Sequence, residues 1–445
     1  MRQTDVVIIG GGQSGLVMSR CLSLRGIDHV VLERGRVGER WKSERWKSLY
    51  LLTSKRHSAL PGLSHQGRDP DAFMPAASFA SYLDFYAAIH GAPVQQGVTV
   101  MGVTPSGFGF QVSTDAGQIH TRAVVVATGA YDTPLRPATA ALLSPEIVQV
   151  SPSAYREPSQ LPEGKVLVVG ASSTGIQLAE ELQNSGRSVT LSVGEHTRSP
   201  RRYRGRDVYS WFDLSGILDD PALETGNLRA ARRQPSLQLV GGPEPRDLNL
   251  GTLMSQGVRI VGRWTGGAGT TVTFAGDLEA TCTASHTRMD RTLNRVDSFI
   301  ESHAIIAPPA NPDVRRPIIL KGPETAIDLK REGIRSVIWA TGYTRRYPWL
   351  NLPTLDGYGD FLHRGGVSPV PGVFALGLPF LRRRRSNFID GCGIDAEELV
   401  PHIMMHLDQT AARVDGSNAE VAHKLMRLAV TLGQCNTERP THLDG

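Results

Sequence analysis

The sequence predicts an α/β protein with two Rossmann-like dinucleotide-binding domains, the second inserted in the first. Two repeated patterns lead to this prediction. A buried strand that runs into a glycine-rich turn and then a helix occurs at residues 6–22 and again at 165–182. A strand that ends in Ala-Thr-Gly occurs at residues 123–129 and again at 336–342. Paired units of this kind indicate that the chain crosses twice between two nucleotide-binding domains.

The first glycine-rich turn carries Gly10, Gly12 and Gly15 in the spacing G-x-G-x-x-G, directly after a run of apolar residues. In this pattern the first glycine permits a tight turn, the second lets the backbone approach a pyrophosphate, and the third lets the helix pack on the strand. The phosphates would then lie at the positive end of the helix. A second apolar strand ends in Glu33, whose carboxylate can accept hydrogen bonds from ribose hydroxyls. This order of elements favours a nucleotide site over an ordinary glycine turn.

The segment after this unit contains several aromatic and basic residues whose role stays open. A loop ends in Trp41, and residues 48–53 follow as a predicted strand. Trp41 is compatible with stacking on a flat cofactor ring and equally with filling the core. Lys55 and His57 are more typical of a solvated loop than of a catalyst. Residues 78–89 predict an amphipathic helix.

The second glycine-rich turn has Gly170, Ser172 and Gly175, with a serine where the first turn has its middle glycine. It predicts a second nucleotide site. The strand that follows leads through Glu195 into a basic segment, residues 198–206. Arginine can bind the 2′-phosphate of NADP at this place in the fold, so the segment favours NADPH over NADH, although Glu195 and a merely solvated basic loop argue the other way.

The last third of the chain adds three further signals. Residues 277–302 predict a long amphipathic helix, and a second one spans about 395–407. A glycine-rich stretch, residues 391–393, precedes the second helix, and a helix start of this kind can bind an electron-rich group through its backbone N–H groups. The arginine run at 382–385 is compatible with phosphate contacts or with a solvated face.

The bulk properties exclude several classes of protein. A chain of 445 residues, 40% hydrophobic and 20% charged, has the composition of a globular protein with two or three domains. No apolar stretch is as long as a membrane span, and the first strand begins close to the initial methionine, so we expect no membrane association and a cytoplasmic location. The net charge is +5, but the arginines are spread and accompany no nucleic-acid-binding motif. We therefore expect no nucleic-acid partner.

With these motifs in place, the chain resembles the class B flavin-dependent monooxygenases, which include flavin-containing monooxygenases, YUCCA-type enzymes, N-hydroxylases and Baeyer–Villiger enzymes. The resemblance covers essentially the whole chain. It implies an FAD-binding domain at residues 1–155 and 335–445 and an NADPH-binding domain with a helical insertion at residues 156–334. The motifs that carry the resemblance are Gly10-x-Gly12-x-x-Gly15 with Glu33, Gly170-x-Ser172-x-x-Gly175, Ala127-Thr-Gly129, Ala340-Thr-Gly-Tyr343 and Gly391-Cys-Gly-Ile-Asp-Ala396.

The resemblance also implies which positions contact each cofactor. FAD would be held by Gly10, Gly12, Gln13, Ser14, Gly15, Glu33, Arg34, Ala127, Thr128 and Gly129. The flavin ring would be bordered by Arg40, Trp41, Thr53, Gly393, Ile394 and Ala396, with Trp41, Thr53 and Lys55 as candidates for lining the active site. NADPH would be held by Gly170, Ser172, Ser173, Thr174, Gly175, Arg198, Arg201 and Arg202. No metal site is expected.

The activity implied is an FAD- and NADPH-dependent monooxygenase. One oxygen atom of O2 would pass through a flavin C4a-(hydro)peroxide to a nitrogen or sulfur of a small molecule, with N-hydroxylation favoured. No side-chain nucleophile is needed, so no catalytic residue is assigned. The family usually carries Phe-x-Gly-x-x-x-His before the second fold, whereas this chain has Pro145 to Ser151 without those three residues, which weighs most against a Baeyer–Villiger reaction. The partners implied are a small substrate and O2, and a homodimer is compatible.

Three alternatives remain at this point. A flavin-dependent amine oxidase or dehydrogenase with a degenerate NADPH site would explain the altered stretch that ends in Ser151. A pyridine nucleotide–disulfide reductase shares the nucleotide folds, but it needs a redox pair of cysteines, and the cysteines at 21, 282, 392 and 435 form no C-x-x-C pair. A protein that binds nucleotides without turnover is the third alternative.

Overall fold

Two sheets with mostly parallel strands organise the chain, and helices cover their faces. The computed structural model describes residues 2–65, 69–107, 109–224, 226–318, 320 and 324–415. The helices are α1 Gln13–Ser23, α2 Glu39–Ser43, α3 Ala76–Ile89, α4 Ser173–Asn184, α5 Val208–Leu214, α6 Leu228–Arg232, α7 Leu250–Ser255, α8 Leu278–Ser302, α9 Leu329–Glu332 and α10 Gly391–Asp415. The predicted α/β class with two Rossmann-like units is confirmed.

The strands are numbered in chain order. They are β1 Arg2–Ile9, β2 His29–Glu33, β3 Tyr50–Ser54, β4 Phe73–Pro75, β5 Val94–Gln96, β6 Val100–Ser106, β7 Gly109–Thr114, β8 Gly117–Val126, β9 Thr133–Pro134, β10 Val148–Val150, β11 Lys165–Val169, β12 Val189–Ser192, β13 Thr197–Arg198, β14 Arg202–Tyr203, β15 Arg206–Asp207, β16 Leu237–Gln238, β17 Arg259–Val261, β18 Trp264–Ala268, β19 Thr271–Phe274, β20 Ala326–Asp328, β21 Ile334–Trp339, β22 Tyr343–Thr344 and β23 Val373–Ala375.

The first sheet has the order β5-β2-β1-β8-β7-β6, with β23 also paired to β8. Strand β1 is parallel to both β2 and β8, in a register that places Ile9 beside Leu32 and Val126. The carboxyl ends of these three strands therefore meet at one edge of the sheet. The apolar half of β1, residues 6–9, is buried, as a continuous apolar run predicts for a strand covered on both faces.

The second sheet has the order β10-β21-β11-β12-β17, and all its pairings are parallel. Two of its strands, β10 and β21, come from segments close to the predicted domain boundaries at 155/156 and 334/335. The strand pairing assigns residues 148–150 and the whole of 334–339 to this second unit rather than to the first. The division into an FAD domain and an NADPH domain itself stays a prediction.

The two crossings between the units lie side by side. After β8 and its Ala-Thr-Gly turn, β9 leads towards the second unit, and after β21 and its own Ala-Thr-Gly turn, β22 returns. Strands β9 and β22 pair antiparallel, with Thr344 beside Thr133. The Leu135 N–H also donates to the Gly342 carbonyl at 2.9 Å. This short ribbon brings the two Ala-Thr-Gly turns together.

The remaining helix predictions are close to the structure. The helix predicted for 78–89 spans Ala76–Ile89, and the one predicted for 277–302 spans Leu278–Ser302. The last helix begins earlier and extends further than predicted, at Gly391–Asp415. Within the part of the chain that the structure describes, no helix combines the length and the apolar character needed to cross a membrane.

Candidate functional site

A cavity of about 1860 Å³ is lined by the residues that follow the strands of both sheets. Pockets for one drug-sized ligand usually measure roughly 300–1,000 Å³, so this cavity has room for more than one ligand. Both glycine-rich turns and both Ala-Thr-Gly turns contribute to its wall. The topology therefore places the two predicted nucleotide sites on one shared space.

The first glycine-rich turn has the geometry of a pyrophosphate cradle. Gly10 has φ +113°, and a Cβ there would lie 2.5 Å from the Ala127 carbonyl oxygen. A Cβ on Gly15 would lie 1.9 Å from the Gly10 carbonyl oxygen. Gly12 differs, because its φ of −86° is ordinary and a Cβ there would meet no atom within 4 Å. Because glycine has no side chain, open space lies next to the start of α1. No side chain caps the first backbone N–H groups of this helix. These residues fit a bound phosphate.

The carboxylate of Glu33 is fixed at the wall of the cavity. One of its oxygens accepts a hydrogen bond from the Gly11 N–H at 2.7 Å, and the other accepts from the Gly35 N–H at 2.8 Å. Each oxygen keeps a lone pair for a further donor. The position beside the glycine turn therefore suits acceptance from a ribose hydroxyl.

The second glycine-rich turn repeats the first. Gly170 has φ +108°, and a Cβ there would lie 2.3 Å from the Ala340 carbonyl oxygen. A Cβ on Gly175 would lie 1.8 Å from the Gly170 carbonyl oxygen. Ser172 precedes α4 with φ −75° and ψ −176°, close to the −86° and −172° of Gly12. Because this backbone is open to any residue, serine replaces glycine here without strain. The alanine of each Ala-Thr-Gly turn packs its carbonyl against the first glycine, which explains why that motif also recurs.

The three arginines predicted to hold a 2′-phosphate do not line the cavity. The Arg201 side chain is only 1% exposed and forms an ion pair with Asp207 at 2.6 Å. Arg198 donates to the Arg316 carbonyl at 2.8 Å, and exposed Arg202 donates to the Gly205 carbonyl at 2.9 Å. The basic segment is thus used for internal contacts, and the structure does not bring these three arginines to the cavity wall.

Two other arginines occupy the place where this fold distinguishes NADP from NAD, beside the carboxyl end of β12. A Cβ on Gly194 would lie 3.5 Å from the side chain of Arg263, which follows β17. Arg288, on α8, donates to the His196 carbonyl at 2.6 Å and lies 3.6 Å from the Glu195 carboxylate. Both arginines line the cavity. Sequence reasoning missed them because neither is close to β12 along the chain.

The residues predicted around the flavin ring are only partly brought together. Trp41 lines the cavity, packs edge-on against Phe79 at 5.0 Å and lies under the Arg45 guanidinium at 5.2 Å, so it serves the core and the cavity wall at once. Thr53 also lines the cavity, and its hydroxyl bonds to Ser58 at 2.8 Å. Arg34 and Arg40 line it and form ion pairs with Asp132. Lys55 begins a short helical turn away from the cavity wall.

The predicted contacts at the start of α10 lie outside the cavity. A Cβ on Gly393 would lie 2.3 Å from Pro61, which shows that this glycine packs against another loop. Ala396 is fully buried in the core, and Ile394 is 38% exposed. The loop just before the helix lines the cavity instead, through Asn387, Phe388 and Ile389. The remaining predicted positions in the wall are Gln13, Ser14, Thr128, Gly129, Ser173 and Thr174.

Three tyrosines supply hydroxyl groups at the cavity wall. Burial raises the pKa of Tyr209 and Tyr343 above the ordinary value for a phenol. They therefore stay protonated near neutral pH and can donate hydrogen bonds. The hydroxyl of Tyr131, a residue that is nearly half exposed, accepts a hydrogen bond from the Asn387 amide at 3.2 Å. No cluster of His, Cys, Asp or Glu able to hold a metal ion occurs among the residues that the structure covers.

Two Rossmann-like units that share one cavity are typical of oxidoreductases that use two dinucleotides. Residues 7–210 match the family described as "Pyridine nucleotide-disulphide oxidoreductase". The chain is 31% identical over 406 residues to an "Uncharacterized oxidoreductase CzcO-like" of Geobacillus kaustophilus (strain HTA426), a match that covers 90% of this chain and 99% of that one. The chain belongs to the family of this CzcO-like oxidoreductase.

Two further similarities are to monooxygenases. The chain is 30% identical over 191 residues to "Indole-3-pyruvate monooxygenase YUCCA1" of Oryza sativa subsp. japonica, over 42% of this chain and 47% of that one. The "Flavin-containing monooxygenase from Stenotrophomonas maltophilia" has the same fold, with a TM-score of 0.63 at 19% identity over 91% of this chain and 99% of that chain. These similarities agree with the predicted class B flavin-dependent monooxygenase family and with FAD and NADPH as its cofactors.

Proposed function

We propose that the protein is a monooxygenase that uses FAD, NADPH and O2 to transfer one oxygen atom to a nitrogen or sulfur of a small molecule, with N-hydroxylation as the favoured reaction. One observation carries the proposal. Two cradles of matching geometry, around Gly12 and Ser172, open onto a single cavity. A nicotinamide held by one can therefore approach a flavin held by the other. When bound and reduced, FAD supplies the activation of dioxygen.

In this proposal the chain's own residues bind and orient the two cofactors and shield the cavity from water. Backbone N–H groups at the start of α1 would hold the FAD pyrophosphate, and Glu33 would accept from its ribose. Backbone N–H groups at the start of α4, with Ser172, would hold the NADPH pyrophosphate. Buried apolar side chains of the 208–240 segment and of the 378–389 loop line the cavity and would exclude water from it. They are Phe212, Ile217, Leu218, Leu239, Phe380 and Ile389.

The selection of NADPH over NADH would come from Arg263 and Arg288. Guanidinium groups bind phosphate through charged, directional hydrogen bonds. Glu195 favours NADH, since an acidic residue at this position usually accepts hydrogen bonds from the ribose of NADH. Its carboxylate lies within ion-pair distance of Arg288, which offsets its charge.

The alternative, an amine oxidase with a degenerate NADPH site, depended on the altered stretch that ends in Ser151. That serine is buried, and its hydroxyl bonds to Ser153 at 3.0 Å. The second cradle keeps the positive φ of Gly170 and the close packing of Gly175. These observations favour a working second nucleotide site. A disulfide reductase is disfavoured because Cys21, Cys282 and Cys392 are free thiols whose pKa is raised by burial.

Stopped-flow spectroscopy of the FAD-loaded protein separates these possibilities. In a monooxygenase, anaerobic NADPH bleaches the flavin absorbance, and O2 then restores it with one oxygen atom appearing in the product. In an oxidase, an amine substrate bleaches the flavin and NADPH does not. If neither reagent reduces the flavin, the proposed activity is wrong.

A further inference from the structure

A cluster of charged side chains lies at the cavity wall away from both glycine turns. Arg232 ends α6, while Arg345 and Asp360 belong to the segment that follows β22, and all three line the cavity. His363 lies directly behind them. The cluster joins the helical insertion of the second unit to a loop of the first.

One arginine of this cluster has no carboxylate in direct contact among the described residues. Arg345 forms an ion pair with Asp360 at 2.7 Å. Arg232 is half-buried, and among the described residues no carboxylate lies within 4 Å of its guanidinium. Its hydrogen-bond partner is the Nε2 of His363, at 2.7 Å. Asp360 and Asp356 attract Arg232 only over a longer distance. The cluster therefore holds, at the cavity wall, a guanidinium without an anionic partner in direct contact among the described residues.

The cluster also has more hydrogen-bond donors than acceptors. Arg232 donates to Nε2 of His363, while the Gly366 N–H points at Nδ1 of the same ring at 3.2 Å. A neutral imidazole has one acceptor nitrogen, so one of these donors lacks an acceptor in either tautomer. Burial and the nearby arginines lower the pKa of His363 to about 3, so the ring stays neutral. The Nε groups of Arg232 and Arg345 are buried without a partner as well.

Arg232 is half-buried and has no carboxylate within 4 Å among the described residues, and this combination distinguishes it from most other arginines of the cavity wall. Several of them have a carboxylate within 4 Å: Arg34, Arg40, Arg263, Arg288, Arg295, Arg345 and Arg384. No carboxylate of the described residues lies within 4 Å of the Arg45 guanidinium, but Arg45 lies over the ring of Trp41 and follows Glu44. The remaining ones, Arg233, Arg291 and Arg346, are exposed to water. A half-buried guanidinium that faces a neutral imidazole and another arginine, with no carboxylate in direct contact among the described residues, is a site that suits an anion.

Apolar surface adjoins the cluster. Ala231 packs with Phe380 in a small buried group, and Leu218 of the same insertion also lines the cavity. A ligand that satisfies Arg232 would therefore place an anionic end in the cluster and an apolar part along these side chains.

We infer that Arg232 binds the carboxylate of the substrate, so that the protein acts on small carboxylic acids with an apolar body that bears the nitrogen or sulfur. The inference rests on the proposed monooxygenase function and names its substrate class. A cofactor phosphate is the other possible anion. The structure favours the carboxylate because Ser236, not Arg232, contacts the second cradle, through a hydrogen bond to Ser173 at 2.8 Å. The Arg232 side chain is bonded instead to the loop that carries His363.

The test compares two probes that differ only in charge, 3-(methylthio)propanoate and 3-(methylthio)propanamide. Each is titrated into the FAD-loaded protein, and binding is followed by calorimetry and by the change in flavin absorbance. We expect the carboxylate to bind at least about tenfold more tightly than the amide, as one charged hydrogen-bonded pair allows. Arg232→Gln should abolish this difference, and Arg232→Lys should keep part of it.

Two further variants make the result specific. Arg229 lies on the same helix but stacks on exposed Tyr358, so Arg229→Gln should leave the preference unchanged. Asp360→Asn removes the partner of Arg345 and should tighten carboxylate binding without affecting the amide. FAD content and circular dichroism check that each variant is folded.

Three results would overturn the inference. The wild type could bind both probes equally, or neither at millimolar concentration. Alternatively, Arg232→Gln could raise the dissociation constant of NADPH and leave the carboxylate preference intact, which would assign Arg232 to a cofactor phosphate. Binding of the probes needs no turnover, so the two proposals can fail separately. If NADPH does not reduce the flavin but the carboxylate still binds through Arg232, the proposed function is refuted and the carboxylate site is not.

Discussion

Substitution of Gly12 should affect FAD binding and not the fold, whereas substitution of Gly10, two residues earlier, should affect the fold. A side chain on Gly12 would project into open cavity, with backbone angles that any residue adopts. We therefore expect Gly12→Val to leave the fold intact and to block FAD. Gly10 has φ +113°, and its Cβ would lie 2.5 Å from a backbone carbonyl. Gly10→Ala should therefore damage the fold itself.

The magnitudes separate the two variants clearly. For Gly12→Val, the loss of a favourable residue at the helix start costs about 1 kcal/mol, and the smaller entropy of the unfolded chain offsets about 0.4–1 kcal/mol. The apoprotein should thus stay within about 1 kcal/mol of the wild type. For Gly10→Ala, the strained φ costs about 1–3 kcal/mol and the forced shift of packed backbone about as much again.

The assay is denaturant unfolding of the apoprotein, with and without FAD. At a hundredfold excess of FAD over its dissociation constant, binding stabilises the wild type by about 2.7 kcal/mol. Gly12→Val should lose this increment, since a side chain keeps the pyrophosphate from two or more backbone donors worth about 1.5–3 kcal/mol each. Gly12→Ser, which copies Ser172, is the control for a residue that the cradle tolerates. If the Gly12→Val apoprotein is destabilised by several kcal/mol, or if it still gains the full increment from FAD, the assignment of open space at Gly12 to a phosphate is wrong.

Three other perturbations test separate parts of the structure. Arg263→Gln combined with Arg288→Gln should lower kcat/KM for NADPH by about tenfold to a hundredfold and leave NADH unchanged, because each guanidinium contributes charged hydrogen bonds to the 2′-phosphate; equal losses for both nucleotides would contradict this. Arg201→Gln should lower the free energy of unfolding by about 3 kcal/mol, because it leaves Asp207 without its buried partner, whereas Arg202→Gln on the exposed side should change it by less than about 0.5 kcal/mol. Burial raises the pKa of Asp395 from 3.8 to about 6. Between these pH values the folded state binds more protons than the unfolded state, so this group should lower the free energy of unfolding by up to about 3 kcal/mol as the pH rises from 4 to 6. Asp395→Asn should flatten this pH profile, measured by denaturant unfolding at each pH. Parallel profiles for the wild type and the variant would rule the effect out.

The parts of the site that could be predicted from the sequence are those fixed by local backbone. The glycine turns depend on contacts between residues a few positions apart, such as Gly15 against Gly10, and their spacing in the sequence records that contact. Ser172 takes the place of the middle glycine without strain, because the backbone at this position has a negative φ that any residue can adopt. The fold class followed from the repetition of these turns.

The parts that the sequence did not reveal depend on long-range packing. Arg263 and Arg288 reach the end of β12 only because β17 pairs with β12 and because α8 lies alongside. Arg201 belongs to a basic segment whose sequence resembles a phosphate site. Its side chain is buried, however, and its charge is balanced by an ion pair with Asp207. Gly393 and Ala396 follow a glycine-rich helix start, but Pro61 and the core occupy the space next to them. A pattern of charges or glycines along the chain does not specify which of them face the cavity.

The two Ala-Thr-Gly turns explain why both cradles face one cavity. In each unit the alanine carbonyl packs against the first glycine of the cradle, which fixes the position of the turn relative to the start of the helix. In each unit the chain then leaves for the other sheet directly after the same turn. Because the departing strands β9 and β22 pair with one another, the two turns are held side by side. The distance between the cradles is therefore set by backbone contacts and not by long side chains. Substitutions in the cavity wall, such as those at Arg232 or Arg288, should consequently change what is bound without changing how the two nucleotide sites face each other.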